Sequence, residues 1–244
     1  ATAGTTTTNN TTDVAINTAP VTVYACDFVH CNAGFKNAKI GLLEDPSAKF
    51  VTDANGYFTV NLPVGSAATF IFLESFAFAE TTAGTVVVPP TGLTAKEELI
   101  VLQVPSKMMW DLILKMTNGK KDNKNKCQVV VTVCNLNVTI WSFPQGIPGV
   151  KVNFFPSDDT TYTYYFGTWG KLTNHTSPLP NDRTTTSWDG GVLIENVPVN
   201  ASATYLVTAE LPGSGYTFSS TTVKCAKPGL VNAAPNQGPR LIRK

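Results

Sequence analysis

Few side chains in this sequence are able to do chemistry, and the cysteines come first. They stand at Cys26, Cys31, Cys127, Cys134 and Cys225. None has the paired C-x-x-C spacing of a structural zinc site, so disulfide chemistry with one thiol left over is the better reading. Cys26 and Cys31 flank a short loop and are expected to bridge each other. A bond between Cys127 and Cys225 would clamp the two ends of the second half of the chain. Cys134 is then free, buried or bonded between molecules, and spacing alone leaves other connectivities open. His30 and His175 are the only histidines, too few for a three-histidine zinc site. Asp53-Ala54-Asn55-Gly56 begins like a calcium loop but lacks the further acidic ligands, and reads as a turn. No G-x-S-x-G elbow and no phosphate-cradling Gly-rich loop occurs. The expectation is a protein that is not an enzyme, with no catalytic, cofactor-binding or metal-binding residues.

What remains is modification and contact chemistry. Glycosylation sequons begin at Asn9, Asn10, Asn137, Asn174 and Asn200. Tyr162, Tyr164 and Trp169 are candidate glycan-stacking residues, because planar rings stack on sugars. The bland alternative, a strand with its rings in the core, is favoured by the alternation in Tyr162-Thr163-Tyr164. Residues 1–19 form a Thr-rich arm unable to build a core. Thr has high strand propensity, and Val14 and Ile16 alternate onto one face. Thr5, Thr7, Val14 and Ile16 are therefore expected to pair as a donated strand on another subunit, with an O-glycosylated linker as the alternative.

The elements that position these residues come from a duplication. Gly56 to Phe70 aligns without gaps on Gly191 to Tyr205, with Gly56/Gly191, Asn61/Asn196, Pro63/Pro198, Val64/Val199 and Thr69/Thr204 identical. Upstream, Gly34 to Leu43 matches Gly146 to Phe155. Lys39-Ile40-Gly41-Leu42 and Lys151-Val152-Asn153-Phe154 read as strands. Asn55-Gly56 suits the positive φ of a tight hairpin, with Asp189-Gly190-Gly191 in that part of the second copy. A proline ends each following strand. One short helix is expected near 106–117, capped by Ser106, stopped by Gly119, and packing Met109, Leu112, Ile113 and Met116. The expected fold is all-β: a β-sandwich domain at 20–118, a linker at 119–126, a second sandwich at 127–229, and an extended tail at 230–244.

At these same blocks the sequence resembles the carboxypeptidase regulatory-like and transthyretin-like sandwich modules, a group that includes collagen-adhesin B-type repeats. The matching residues are Val21-Thr-Val-Tyr-Ala25, the Gly-x-x-x-Ala-Lys-Ile run ending at Ile40, Thr52 to Phe58 and Leu62-Pro-Val-Gly65, then Gly146 to Gly149, Asp189 to Gly191 and Asn196 to Pro198. The resemblance implies immunoglobulin-like or transthyretin-like sandwiches in secreted and surface proteins, and is nearly silent on activity.

Charged residues are only 14% of the chain, below the roughly 25% of ordinary soluble domains, and the net charge is +1. No bulk field draws the chain to nucleic acid or membrane. No apolar run reaches the ~20 residues of a membrane span. Ala1-Thr2-Ala3-Gly4 is not a leader, so the chain is either cytosolic or a mature form with its leader removed. The sequons and the disulfide reading of the cysteines favour the second, and an extracellular chain is expected. The function expected is a structural subunit of an extracellular filament, pilus-like fibre or matrix, a homopolymer joined by terminal strand exchange. The alternatives are a carbohydrate-binding or adhesive module and an accessory domain of a larger secreted protein.

Overall fold

Val21, Val23 and Ala25 alternate with Thr22 and Tyr24, and they form the inner face of the first long strand, β1 (Thr18–Asp27). The computed structural model describes residues 17–29, 31–73, 75–117, 122, 124–167 and 183–243. The first half continues through β2 (Lys39–Leu42), β3 (Lys49–Val51), β4 (Tyr57–Pro63), β5 (Ala67–Ala68), β6 (Phe70–Phe72), β7 (Thr81–Ala83), β8 (Val86–Val87), β9 (Ile100–Val104) and helix α1 (Lys107–Met116). The second half holds β10 (Lys126–Thr132), β11 (Lys151–Phe155), β12 (Tyr162–Tyr165), β13 (Gly191–Pro198), β14 (Thr204–Glu210), β15 (Thr217–Phe218), β16 (Thr221–Lys224), β17 (Gly229–Ala233) and β18 (Leu241–Arg243). Among the described residues the fold is all-β with one short helix, as the alternation and turn signals require.

Each half is a two-sheet sandwich of matching topology. In the first, β4-β1-β9 faces the antiparallel strands β3-β2-β6-β7, around Val21, Val23, Ile40, Phe70, Ile100 and Leu102. In the second, β12-β13-β10-β17 faces β11-β14-β16, around Val129, Val131, Val152, Phe154, Ile194 and Val207. The first strand of each half pairs antiparallel with one neighbour and parallel with the other.

The two halves then merge. β17 runs parallel to β7, with Leu230 opposite Thr81 and Asn232 opposite Ala83. The result is one eight-stranded sheet of order β12-β13-β10-β17-β7-β6-β2-β3. This corrects the expectation for 230–244: the segment supplies β17 and β18 instead of a tail without elements. Leu230 and Val231 are buried on opposite faces of the shared sheet, and Asn232 donates through Nδ2 to the Gln103 carbonyl at 2.8 Å. Ion pairs Lys224–Glu44 and Lys227–Glu80 flank the join. The arm boundary also moves, because Thr18 and Ala19 already belong to β1 and Ala19 is buried against Leu62.

Helix α1 begins where expected, with the Ser106 hydroxyl accepting the Met109 N–H at 3.2 Å. Its stop at Gly119 falls outside the described residues. The buried helix residues are Ile113 and Leu114, while Leu112 stays 44% exposed, against the expectation that Leu112 packs. The helix follows the first half in sequence, yet it covers the second half's sheet. Ile113, Met109 and Met116 pack on Val130, Leu193 and Leu230. That is why β10 and β13 are buried at nearly every position, the pattern of strands covered on both faces.

Candidate functional site: the open edge of β4

The site follows from backbone alternation. Ala25 donates its N–H to the Gly56 carbonyl at 2.9 Å, and Val64 donates to the Asn17 carbonyl at 2.9 Å. In an antiparallel ladder every second residue points its backbone groups at the partner. With Val23 opposite Phe58 and Val21 opposite Val60, the groups of Phe58, Val60 and Leu62 face β1. Those of Tyr57, Thr59 and Asn61 face the other way. Among the described residues no strand pairs on that side, so β4 is a sheet edge. Thr59 and Asn61 are exposed, and the Thr59 hydroxyl lies 2.9 Å from that of Thr22 across the pair.

The second half shows what such an edge accepts. β13 takes the place of β4, and its outward groups belong to Gly191, Leu193 and Glu195. β12 pairs there, with Tyr164 opposite Leu193, Tyr162 opposite Glu195, and Phe166 donating its N–H to the Gly191 carbonyl at 3.0 Å. The Tyr162–Tyr165 run, expected either to stack glycans or to form a strand with its rings in the core, therefore covers in the second half an edge that the first half leaves open.

The sequence-level sites are distributed as follows. Disulfides join Cys26 to Cys31 and Cys127 to Cys225, and Cys134 is a buried free thiol. Burial pushes that thiol up to about 12. Asn137 and Asn200 are exposed in turns, whereas Asn9, Asn10 and Asn174 lie outside the described residues. So do Thr5, Thr7, Val14 and Ile16 of the arm, and Trp169. Tyr162 is 38% exposed on β12, while Tyr164 packs towards α1 and Tyr165 lies in the core, its hydroxyl accepting the Val152 N–H at 3.1 Å. Asn55-Gly56 does not close a hairpin between paired strands, because β3 and β4 lie in different sheets. Asp53 Oδ1 instead accepts the N–H groups of Asn55 and Tyr57, both at 2.8 Å, and Gly56 alone takes the positive φ of 89°.

Near the matching turn of the second half, burial pushes the Asp189 carboxyl up to about 6, partly offset by the Gly191 N–H. Asp158 is held well below the carboxylate range by the Thr160 hydroxyl and N–H, and its other oxygen pairs with Lys126 at 3.2 Å. Among the described residues no three His, Cys, Asp or Glu side chains gather as a metal site. No described helix is long and apolar enough to cross a membrane.

No family model matches the chain, and no curated protein matches it. Several solved structures do. The Bacillus anthracis TIE protein is 13% identical over 88% of this chain, which spans 33% of that protein, at a TM-score of 0.29. The shaft pilin SpaA from Lactobacillus rhamnosus GG is 11% identical, covering 93% of this chain and 98% of the pilin, at 0.25. A streptococcal ancillary pilin is 14% identical, covering 96% and 64%, at 0.26. Likeness this loose says nothing of function by itself.

Tyr57 and Asn61 enter the sequence reading only as members of matched blocks, and Thr59 carries no functional expectation there. The signal available was the inequality of the repeats: only the second copy carries a strand-forming insertion before the matched block.

Proposed function

We propose that this chain is a structural subunit of an extracellular filament, pilus-like fibre or matrix, joined by donation of the N-terminal arm of one copy to the β4 edge of the next. The observation that supports this reading is the asymmetry between the halves: β13 is covered by β12, and β4 has no such neighbour among the described residues. An added strand with alternating side chains would meet the outward groups of Thr59 and Asn61 as β12 meets those of Leu193 and Glu195, the Tyr57 N–H and carbonyl being already bonded to Asp53. Residues 1–16 span at most about 55 Å when extended, enough to reach a neighbouring copy. The two disulfides suit an oxidising, extracellular setting.

The test is a pair of variants examined by negative-stain microscopy and sedimentation. Deleting residues 1–16 leaves a folded monomer. Thr59→Pro removes an outward N–H without touching the β1 ladder, and it also abolishes assembly. Normal filaments from both variants would rule out arm donation to β4.

A further inference from the structure

We propose that the corner formed by Tyr24, Tyr57 and Trp141 binds a glycan carrying an acidic group. The inference is independent of the filament reading. An open pocket of about 580 Å³ lies where the two halves meet, and Asn32, Asn55 and Lys96 supply the polar side chains of its lining beside the three aromatic rings. Tyr24 and Tyr57 stack with ring centroids 4.5 Å apart, and Trp141 stands 5.4 Å from Tyr24 at a 48° tilt. The open aromatic surface is thus Tyr57 from the first half and Trp141 from the second, with the buried Tyr24 ring in contact with both.

The geometry of this corner is fixed from below. The Trp141 indole N–H donates to the Cys31 carbonyl at 2.9 Å, and the Tyr24 hydroxyl donates to the same oxygen at 3.1 Å. Cys31 is in turn held to Cys26 by a disulfide. With its one polar group engaged by protein, Trp141 presents ring carbon to solvent and remains 37% exposed. Sealing the join accounts for Tyr24, which is 2% exposed, but not for the rings of Tyr57 and Trp141 left open to the pocket.

A pyranose ring offers a face of C–H bonds and a rim of hydroxyls. Aromatic faces take the first, and side-chain amides, which both donate and accept, take the second. Asn32 and Asn55 stand exposed at the pocket edge. Lys96 supplies the charge selection: its Nζ lies 5.9 Å from the Trp141 ring, and among the described residues lining the pocket it alone is charged. Asp53, whose Oδ1 accepts the Asn55 and Tyr57 backbone N–H groups, is not part of the lining. A carboxylate or sulfate on the sugar therefore meets a cation and no opposing anion within the lining.

The experiment is isothermal calorimetry on the full chain produced without glycosylation, using tetragalacturonate and neutral galactotetraose. Tetragalacturonate binds, and galactotetraose binds about five-fold more weakly, the scale of one exposed cation contact. Lys96→Met brings tetragalacturonate down to the neutral level, Asn55→Ala weakens both sugars, and Trp141→Ala abolishes binding. Should Trp141→Ala loosen the join, the exposed positions Lys96 and Asn55 carry the test. No heat with either sugar, or binding unchanged by Lys96→Met and Asn55→Ala, would overturn the proposal.

Discussion

Gly56 and Gly190 occupy the same place in the two halves. The carbonyl of Gly56 accepts the Ala25 N–H and that of Gly190 accepts the Val133 N–H, both at 2.9 Å, and in each half the accepting turn lies against a second glycine, Gly34 or Gly146. The gapless alignment of the repeats pairs Gly56 with Gly191, so the structure shifts the match by one residue. The register explains how the two agree again at Pro63 and Pro198. β13 carries one extra residue opposite β10, where the register slips between Cys127 and Val129 and Asn196 takes a positive φ of 61°.

The paired glycines leave no room for side chains. A Cβ on Gly56 would stand 2.5 Å from the Gly34 Cα, and one on Gly190 would stand 2.4 Å from the Val133 carbonyl oxygen. Both residues also have positive φ, of 89° and 75°. Gly56→Ala and Gly190→Ala are each expected to cost roughly 3 kcal/mol or more in urea denaturation. Gly213→Ala, with the same φ as Gly190 but open space around it, should cost only about 1 kcal/mol.

Asp189 makes stability depend on pH. Its folded-state value of about 6 lies above the roughly 3.9 of an unfolded aspartate, so the native state holds the proton more tightly. That contribution is fully present below about pH 4 and is lost as pH rises through 6. Asp189→Asn keeps an acceptor for the Gly191 N–H and removes the charge. Its melting temperature should match the parent at pH 4 and exceed it at pH 8.

The two disulfides should differ in weight. Cys127–Cys225 closes a separation of 98 residues and Cys26–Cys31 one of 5. On loop entropy alone, replacing the first pair by serine costs about 4–5 kcal/mol and the second about 2 kcal/mol. Denaturant midpoints under non-reducing conditions measure the difference.

Cys134 should be silent in the native protein. Burial raises its thiol to about 12, and its sulfur donates to the Pro235 carbonyl at 3.0 Å, so almost no thiolate exists at pH 8. Ellman's reagent is expected to label no thiol in the folded chain and one per chain in 6 M guanidinium. Rapid labelling of the native protein would contradict the burial.

Local chemistry decided much of this protein before folding was considered. The period-two runs at Val21–Ala25 and Val152–Phe154 become strands, Ser106 starts the helix, and the prolines at 63 and 198 fall at strand ends, because each depends only on adjacent residues. The tertiary structure decided the rest. Leu230-Val231 looks like a tail until β7 and β10 flank it in parallel, a pairing between distant segments that leaves no turn signature. The helix after the first repeat finds its apolar surface on the second, since Val130, Leu193 and Leu230 come together only once β10, β13 and β17 are side by side. The open edge of β4 and the aromatic corner at Trp141 arise in the same way. One is a sheet position that only a completed topology defines, and the other is a contact between rings contributed by both halves.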